Sequence, residues 1–101
     1  MADELTGKQR RHLRALGHHL DPVVQVGHEG VSEAVVRQAE QQLEAHELIK
    51  IRIGESSPQD RHQAAELLAQ KTAAHVAQVL GRTALLYRRR KEHPEIVLPP
   101  R

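Results

Sequence analysis

The sequence predicts an α/β fold, a single compact domain in which helices pack on a four-stranded mixed sheet. Segments with apolar residues at helical spacing alternate along the chain with short runs rich in β-branched residues, and the last two such runs are joined by Gly-Arg. A chain of 101 residues can also bury one core but not two. The expected order of elements is therefore α-β-α-β-α-β-β.

The first helix is predicted to begin after Thr6, because Gln9 three residues later completes a capping box. Gly17 lies close to its expected end. Leucines recur along it at helical spacing: Leu13, Leu16 and Leu20. Cations occupy the other side of the helical wheel: Lys8, Arg10, Arg11 and Arg14. This helix therefore offers one face to a core and another to a polyanion.

The middle of the chain predicts strand, helix and strand. The run VVQVG, up to Gly27, is short and β-branched, as a first strand should be. Ser32 is a good N-cap for a second helix, whose outer face is acidic. The segment ELIKIRI then alternates like a half-buried strand, which directs Lys50 and Arg52 away from the core.

The last part of the predicted domain is a helix followed by a hairpin. Pro58 is expected in the first turn of a third helix that reaches about Thr72. The segment VAQVLGRTALLYR then predicts two strands joined at Gly81 and Arg82. A type II′ turn suits this connection because Gly comes first.

The chain is predicted to divide at residue 90. Residues 1–90 form the domain, and residues 91–101 are rich in proline and charge, which favours a flexible tail. Residues 96–98 are apolar and could still dock on the domain.

The composition excludes several classes of function. The chain has no cysteine, which excludes disulfides and thiolate metal sites and favours a reducing compartment, the cytoplasm. No apolar run approaches the ~18 residues that span a bilayer, so we expect no membrane contact. Tyr87 is the only Phe, Tyr or Trp, which argues against RNA recognition motifs and OB folds, because these stack bases on aromatic side chains.

The net charge of +2 hides a segregation of charge along the chain. Residues 5–20 carry four Lys or Arg and no carboxylate, residues 31–60 are mostly acidic, and residues 88–91 are basic again. Such polarity is typical of polyanion binders, and a set of merely solvated faces is an equally open interpretation.

Two glycines, Gly27 and Gly30, separate the first strand from the second helix. A turn of this kind lets the backbone approach another molecule, and the helix N-terminus favours an anion there. His28 can add a positive charge, whereas Glu29 would repel phosphate. The pattern is too short for a P-loop but matches the length of the KH-type loop that clamps nucleic-acid backbones. Glycines required only by the shape of the turn remain the alternative.

Three stretches together resemble the bacterial YhbY-like proteins, the stand-alone form of the CRM (chloroplast RNA splicing and ribosome maturation) domain: LTGKQRRHLRALGHHLDPVVQVGHEGVSEAVV, HELIKIRI and VLGRTALLYR. The resemblance extends from Leu5 to about Arg88. It implies RNA binding, a fold similar to the C-terminal domain of translation initiation factor 3, and association with precursors of the large ribosomal subunit. We expect a monomer whose partner is this ribosomal RNA, with ribosomal proteins as further candidates.

Carried over onto this chain, the family's G-x-x-G loop falls on residues 27–30, its basic first helix on the cations named above, and its later Gly-Arg pair on Gly81 and Arg82. His28 stands where the family often has Lys, so the charge of the loop depends on pH here. The predicted RNA-binding residues are Lys8, Arg10, Arg11, Arg14, Gly27, His28, Glu29, Gly30, Lys50, Arg52, Arg82 and Arg88.

Other chemistry has weaker support in the sequence. The eight histidines show no metal-binding spacing, and each serine fits a cap or a turn. We therefore expect no enzyme, no metal and no cofactor. The alternative to RNA binding is a protein-interaction module, in which the acidic second helix or the proline-rich tail docks on a ribosomal protein or assembly factor.

Overall fold

The computed structural model describes residues 4–101. Three helices and four strands follow each other in the predicted order. Their bounds are α1 Gly7–Gly17, β1 Pro22–Val26, α2 Glu33–His46, β2 Leu48–Ile53, α3 Arg61–Thr72, β3 His75–Leu80 and β4 Thr83–Tyr87.

The strands form one mixed sheet in the order β1-β2-β4-β3. Strands β1 and β2 are parallel and are connected through α2, whereas β4 runs antiparallel to both β2 and β3. The predicted fold class is confirmed. Because β1 and β2 are parallel and β3 and β4 form a hairpin, the loops after β1 and β2 lie at the same end of the sheet as the turn of that hairpin.

The larger core lies between the sheet and the helices α2 and α3. Alternate residues of β2, Ile49, Ile51 and Ile53, are at most 2% exposed and pack there. Small residues let the helices approach the sheet closely: Ala39 of α2, and Ala64, Ala65 and Ala69 of α3. The core is aliphatic throughout, as the near absence of aromatic residues requires.

The smaller core lies on the opposite face of the sheet, under α1. It consists of Leu5, Leu13, Leu48, Ala77, Leu85 and Tyr87. Gly17 allows this packing, because a Cβ atom there would lie 2.6 Å from a methyl group of Leu85. The sheet is thus covered on both faces, but α1 covers only the part near the start of β2 and the end of β4.

Two local predictions are wrong. Helix α3 begins at Arg61 and not near Pro58, because the side chain of Asp60 accepts a hydrogen bond from the Gln63 N–H and so takes the N-cap. Leu16 and Leu20, predicted to face the core, are 44% and 36% exposed, because α1 turns its Gln9, Leu13 and Gly17 side to the sheet.

The tail, residues 91–101, contains no helix or strand, but it lies against the smaller core. Ile96 and Leu98 pack on that core, and the side-chain amide of Gln9 donates a 3.0 Å hydrogen bond to the carbonyl of Pro99. The tail therefore follows one flank of α1. The boundary at residue 90 and the flexibility of the tail stay predictions.

Candidate nucleic-acid interface

The loop between β1 and α2 is a tight turn whose tip is exposed. The Gly30 N–H donates a 2.9 Å hydrogen bond to the Gly27 carbonyl, and His28 and Glu29 lie at the tip. Ser32 caps α2 as predicted, accepting a hydrogen bond from the Val35 N–H at 3.3 Å. The turn therefore ends at the positive end of the α2 dipole.

The two glycines of this loop have different tasks. Gly30 has a φ of +70°, and a Cβ atom there would collide with the side-chain amide of Gln59 and lie 2.9 Å from Pro58 Cγ. Gly27 has no positive φ, and a Cβ atom there would meet nothing within 4 Å. Gly30 is thus required by the fold, whereas the space beside the half-buried Gly27 is open on the side where a Cβ atom would lie.

A second loop, residues 54–60, holds the turn in place. The Gln59 side-chain oxygen accepts a 3.3 Å hydrogen bond from the Val31 N–H, and the Gly54 N–H donates to the Val26 carbonyl at 2.9 Å. The Ser57 hydroxyl donates to the Gln59 carbonyl at 2.8 Å, which closes this second loop on itself. Sequence reasoning missed Gln59, because nothing in the local pattern shows that its side chain reaches across 28 residues.

The predicted cations of α1 are all exposed: Lys8, Arg10, Arg11 and Arg14. Gln9 and Leu16 lie on the flank of α1 that faces the tail, because Gln9 bonds Pro99 and Leu16 lines a groove with Ile96. Arg14 comes two residues before Leu16 and therefore lies about 160° around the helix from it. Arg14 thus lies on the flank that faces away from the tail.

Lys50 and Arg52 lie along β2, and Lys50 lines the same groove as Leu16 and Ile96. Both alternate with the buried isoleucines of β2 and so lie on the face that carries α1. Arg52 is about 7 Å farther along the strand than Lys50, toward the G-x-x-G end, and is in register with Gln25 of β1, two residues before Gly27. Lys50, Arg52 and the G-x-x-G loop thus follow one another along the first two strands, and we call this set the cationic path; Arg14 lies on the other flank of α1.

Arg82 lies at the same end of the sheet, in the turn of the β3–β4 hairpin. Its carbonyl accepts a 2.7 Å hydrogen bond from the Ile53 N–H, and its guanidinium lies 3.6 Å from a Glu55 carboxylate oxygen. Both side chains are more than half exposed, so this ion pair is weak and leaves the Arg82 cation accessible. Gly81 has a φ of +58° and Arg82 does not have a positive φ, which agrees with the predicted type II′ turn.

Arg88 is the exception among the predicted residues. Its guanidinium bonds Glu40 at 2.9 Å and Glu44 at 3.2 Å, and it also donates to the Thr72 carbonyl at 2.8 Å. These partners belong to α2 and α3, on the face of the sheet opposite to α1. The predicted role of Arg88 in RNA binding does not fit this arrangement, since the side chain is 21% exposed and fastens α2 to the end of α3.

The described residues offer few groups for other chemistry. Within 4–101, no three His, Cys, Asp or Glu side chains are placed to share a metal ion. No helix in this part of the chain is both long enough and apolar enough to cross a membrane.

Comparison with known proteins identifies the family. The model of the CRS1 / YhbY (CRM) domain matches residues 5–88. The chain belongs to this family. It is 41% identical over 95 residues to the Probable RNA-binding protein YqeI of Bacillus subtilis, covering 94% of this chain and 99% of that protein. It is 35% identical over 95 residues to a protein of Haemophilus influenzae named RNA-binding protein, covering 94% of this chain and 95% of the other.

A solved structure supports the same grouping within the CRM family. The solution structure of protein SAV1595 from Staphylococcus aureus superimposes with a TM-score of 0.81 at 41% sequence identity. The match covers 94% of this chain and 99% of that protein. The sequence resemblance to YhbY-like proteins is therefore confirmed, and so is the predicted fold of three helices on a four-stranded mixed sheet.

Proposed function

We propose that this protein binds ribosomal RNA in precursors of the large ribosomal subunit, as a monomer in the cytoplasm and without catalysis. The observation that carries the proposal is the open space beside Gly27 at the end of the cationic path. The relatives are named probable RNA-binding protein and RNA-binding protein, which supports the same class of partner.

The proposed mechanism is contact with phosphates by cations and by backbone. Tyr87, the only Phe, Tyr or Trp of the chain, is 3% exposed, so its ring is buried and cannot stack on bases. The side chains of six cations have no hydrogen bond or ion pair to other residues within 4–101, so they are free to bind phosphates: Lys8, Arg10, Arg11, Arg14, Lys50 and Arg52. Recognition then follows the shape of a folded RNA more than its base sequence.

The loop favours one approach of the phosphate over the other. At the Gly30 side, Gln59 already occupies the Val31 N–H, and Glu33 in the first turn of α2 adds a negative charge. At the Gly27 side the backbone is open, and His28 is the neighbouring exposed side chain. We therefore place the phosphate at Gly27 and His28.

The test is the affinity for transcripts of large-subunit ribosomal RNA, measured by fluorescence anisotropy at several salt concentrations. The variant Arg10→Gln, Arg11→Gln, Arg14→Gln should bind more weakly, and its log-log salt slope should fall by about 2, since each phosphate contact contributes about 0.7. The matched control removes three exposed cations away from α1: Arg37→Gln, Lys71→Gln and Arg89→Gln. Equal losses in the two variants would contradict the proposed surface.

Ultraviolet crosslinking in cells tests the target. We expect the sequenced crosslinked RNA to come mainly from large-subunit precursors, with protein crosslinks at His28 or in α1. Sequences scattered over many RNAs would contradict this choice of RNA but not the proposed RNA-binding surface.

A protein-docking function is the second candidate, and one observation favours it. Leu16, Leu20 and Val23 are each 36–44% exposed and line a single groove of about 380 Å³ beside the start of β1. The acidic face of α2, the surface first expected to dock, is instead occupied by Arg88. Association with precursor particles that survives the loss of the three α1 arginines would favour this candidate.

A further inference from the structure

A cleft separates loop 54–60 from the turn of the β3–β4 hairpin. Its volume is about 660 Å³, which is within the range of small-molecule sites. The exposed ring of Pro58 gives one wall an apolar surface, whereas Ile53 beneath the cleft is 1% exposed and presents almost none. The polar and charged residues that line it are Glu55, Ser57, Gln59, Asp60, Arg61 and Arg82.

Both walls of this cleft are held by hydrogen bonds. On one side, the Ser57 N–H donates to the Gly54 carbonyl at 3.2 Å and the Ser57 hydroxyl to Gln59 at 2.8 Å. On the other side, the Arg61 guanidinium donates to the Gly81 carbonyl at 3.1 Å, which ties the start of α3 to the hairpin. The cleft is therefore preformed, and a ligand need not order either wall.

The charges of the cleft disfavour a phosphate and suit a nucleobase. Two carboxylates, Glu55 and Asp60, stand against two guanidinium groups, so the cleft lacks the net positive charge that a phosphate needs. One Asp60 oxygen caps α3 through the Gln63 N–H. The Glu55 side chain is 82% exposed and only loosely paired with Arg82 at 3.6 Å, so its carboxylate is free to accept hydrogen bonds from a ligand.

The cleft also adjoins the loop that we assign to the RNA backbone. Gln59 lines the cleft, and its side chain holds the Val31 N–H directly after the G-x-x-G turn. Gly54 also lines the cleft, and its N–H donates to the carbonyl of Val26, the residue before Gly27, so a nucleotide with its phosphate at Gly27 has a neighbour beside the cleft.

We propose that this cleft takes an unpaired guanine of the bound RNA, with the Glu55 carboxylate accepting the guanine N1–H and N2–H. Guanine is the one RNA base whose Watson–Crick edge presents two adjacent donors, which match the two oxygens of a carboxylate. Pro58 supplies the apolar contact for the ring, and Arg82, released from Glu55, lines the cleft beside it. This inference rests on the proposed RNA-binding function and adds a base preference to it.

The experiment uses the full chain and RNA hairpins that are identical except for one bulged nucleotide: G, A, C or U. Wild type should bind the bulged-G hairpin about 5- to 100-fold more tightly than the others, the range of a good bidentate contact to a base. Glu55→Gln, which keeps the size of the side chain but removes one acceptor, should lose this preference and still bind all four hairpins. Glu66→Gln, an exposed change elsewhere on α3, is the matched control and should keep the preference.

The outcomes separate this inference from the function on which it rests. Salt-sensitive binding of all four hairpins with equal affinity would overturn the guanine site and leave the RNA-binding surface in place. A guanine preference that persists in Glu55→Gln would also overturn it. Failure of wild type to bind any hairpin, or the ribosomal transcripts above, would overturn the proposed function itself.

Discussion

Replacing the carboxylate of Glu47 by an amide, a very small change, should markedly lower the free energy of unfolding. Glu47 follows α2, has no exposed surface, and has a φ of +63°. One carboxylate oxygen accepts the N–H groups of Glu95 and Ile96 at 2.7 and 2.9 Å, and the other accepts the Arg90 N–H at 2.8 Å. This single side chain therefore fastens both ends of the segment that leads from β4 into the tail.

The expected cost of Glu47→Gln follows from these contacts. The amide oxygen can still accept from Glu95 and Ile96, but the new NH₂ group would face the Arg90 N–H, so two donors oppose each other. A hydrogen bond to a charged group contributes about 1.5–3 kcal/mol, and the abandoned N–H adds a penalty of its own. We expect the free energy of unfolding to fall by about 2–4 kcal/mol.

Urea denaturation followed by circular dichroism measures this loss, and limited proteolysis shows whether the tail is cleaved earlier. Glu92→Gln, an exposed change in the same tail, is the control and should shift the free energy of unfolding by less than about 0.5 kcal/mol. A Glu47→Gln protein as stable as wild type, with an equally protected tail, would refute the reasoning.

Three further predictions concern pH, the loop and Arg88. Burial raises the pKa of Glu47, but the N–H donors of Arg90, Ile96 and Glu95 and the Arg90 charge lower it more, so its net pKa is below the ordinary value. The contribution of Glu47 to the free energy of unfolding is therefore complete above about pH 4.3 and is lost as the pH falls through the folded pKa. Acid titration of Glu47→Gln should lack this pH-dependent loss. Gly30→Ala should lower the free energy of unfolding by at least about 1 kcal/mol, whereas Gly27→Ala should leave stability nearly unchanged and weaken RNA binding. A destabilised Gly27→Ala protein beside a stable Gly30→Ala protein would contradict the roles assigned to the two glycines. Arg88→Gln should lower stability by about 1–2 kcal/mol and leave RNA affinity unchanged, as urea denaturation and anisotropy can check together.

The sequence predicted the parts of the fold that depend on local pattern. The capping box of Thr6 and Gln9, the N-cap at Ser32 and the alternation of β2 are all present in the structure, because each depends on neighbours within four residues. The order of the elements and the mixed four-stranded sheet were predicted as well, whereas the spatial order of the strands was not. The start of α3 was misplaced because Pro58 was expected in its first turn, whereas the capping box of Asp60 and Gln63 starts the helix at Arg61.

Long-range contacts of polar side chains could not be predicted in this way. Glu47 has the sequence context of an ordinary helix-end acid, and only the return of the chain 43 to 49 residues later makes it a buried anchor. Arg88 likewise belongs to a basic run that suggests a solvated or RNA-binding surface, until α2 brings Glu40 and Glu44 to it. The charge pattern along a sequence does not show which cations form ion pairs within the folded protein.

Some cations of this protein are paired within the fold, and others belong to the proposed RNA-binding surface. At the end of the sheet near Glu47, two arginines are paired: Arg88 with α2, and Arg90 with the last carbonyls of α2 and with Glu95 at 2.7 Å. Lys50 and Arg52, which lead along β2 toward the other end, and the arginines of α1 have no partner among residues 4–101, and the space beside Gly27 is open. Unpaired cations that lie close together destabilise the folded protein, because they repel one another. A bound polyanion would neutralise these cations, which is a further reason to place the proposed RNA at the cationic path beside Gly27.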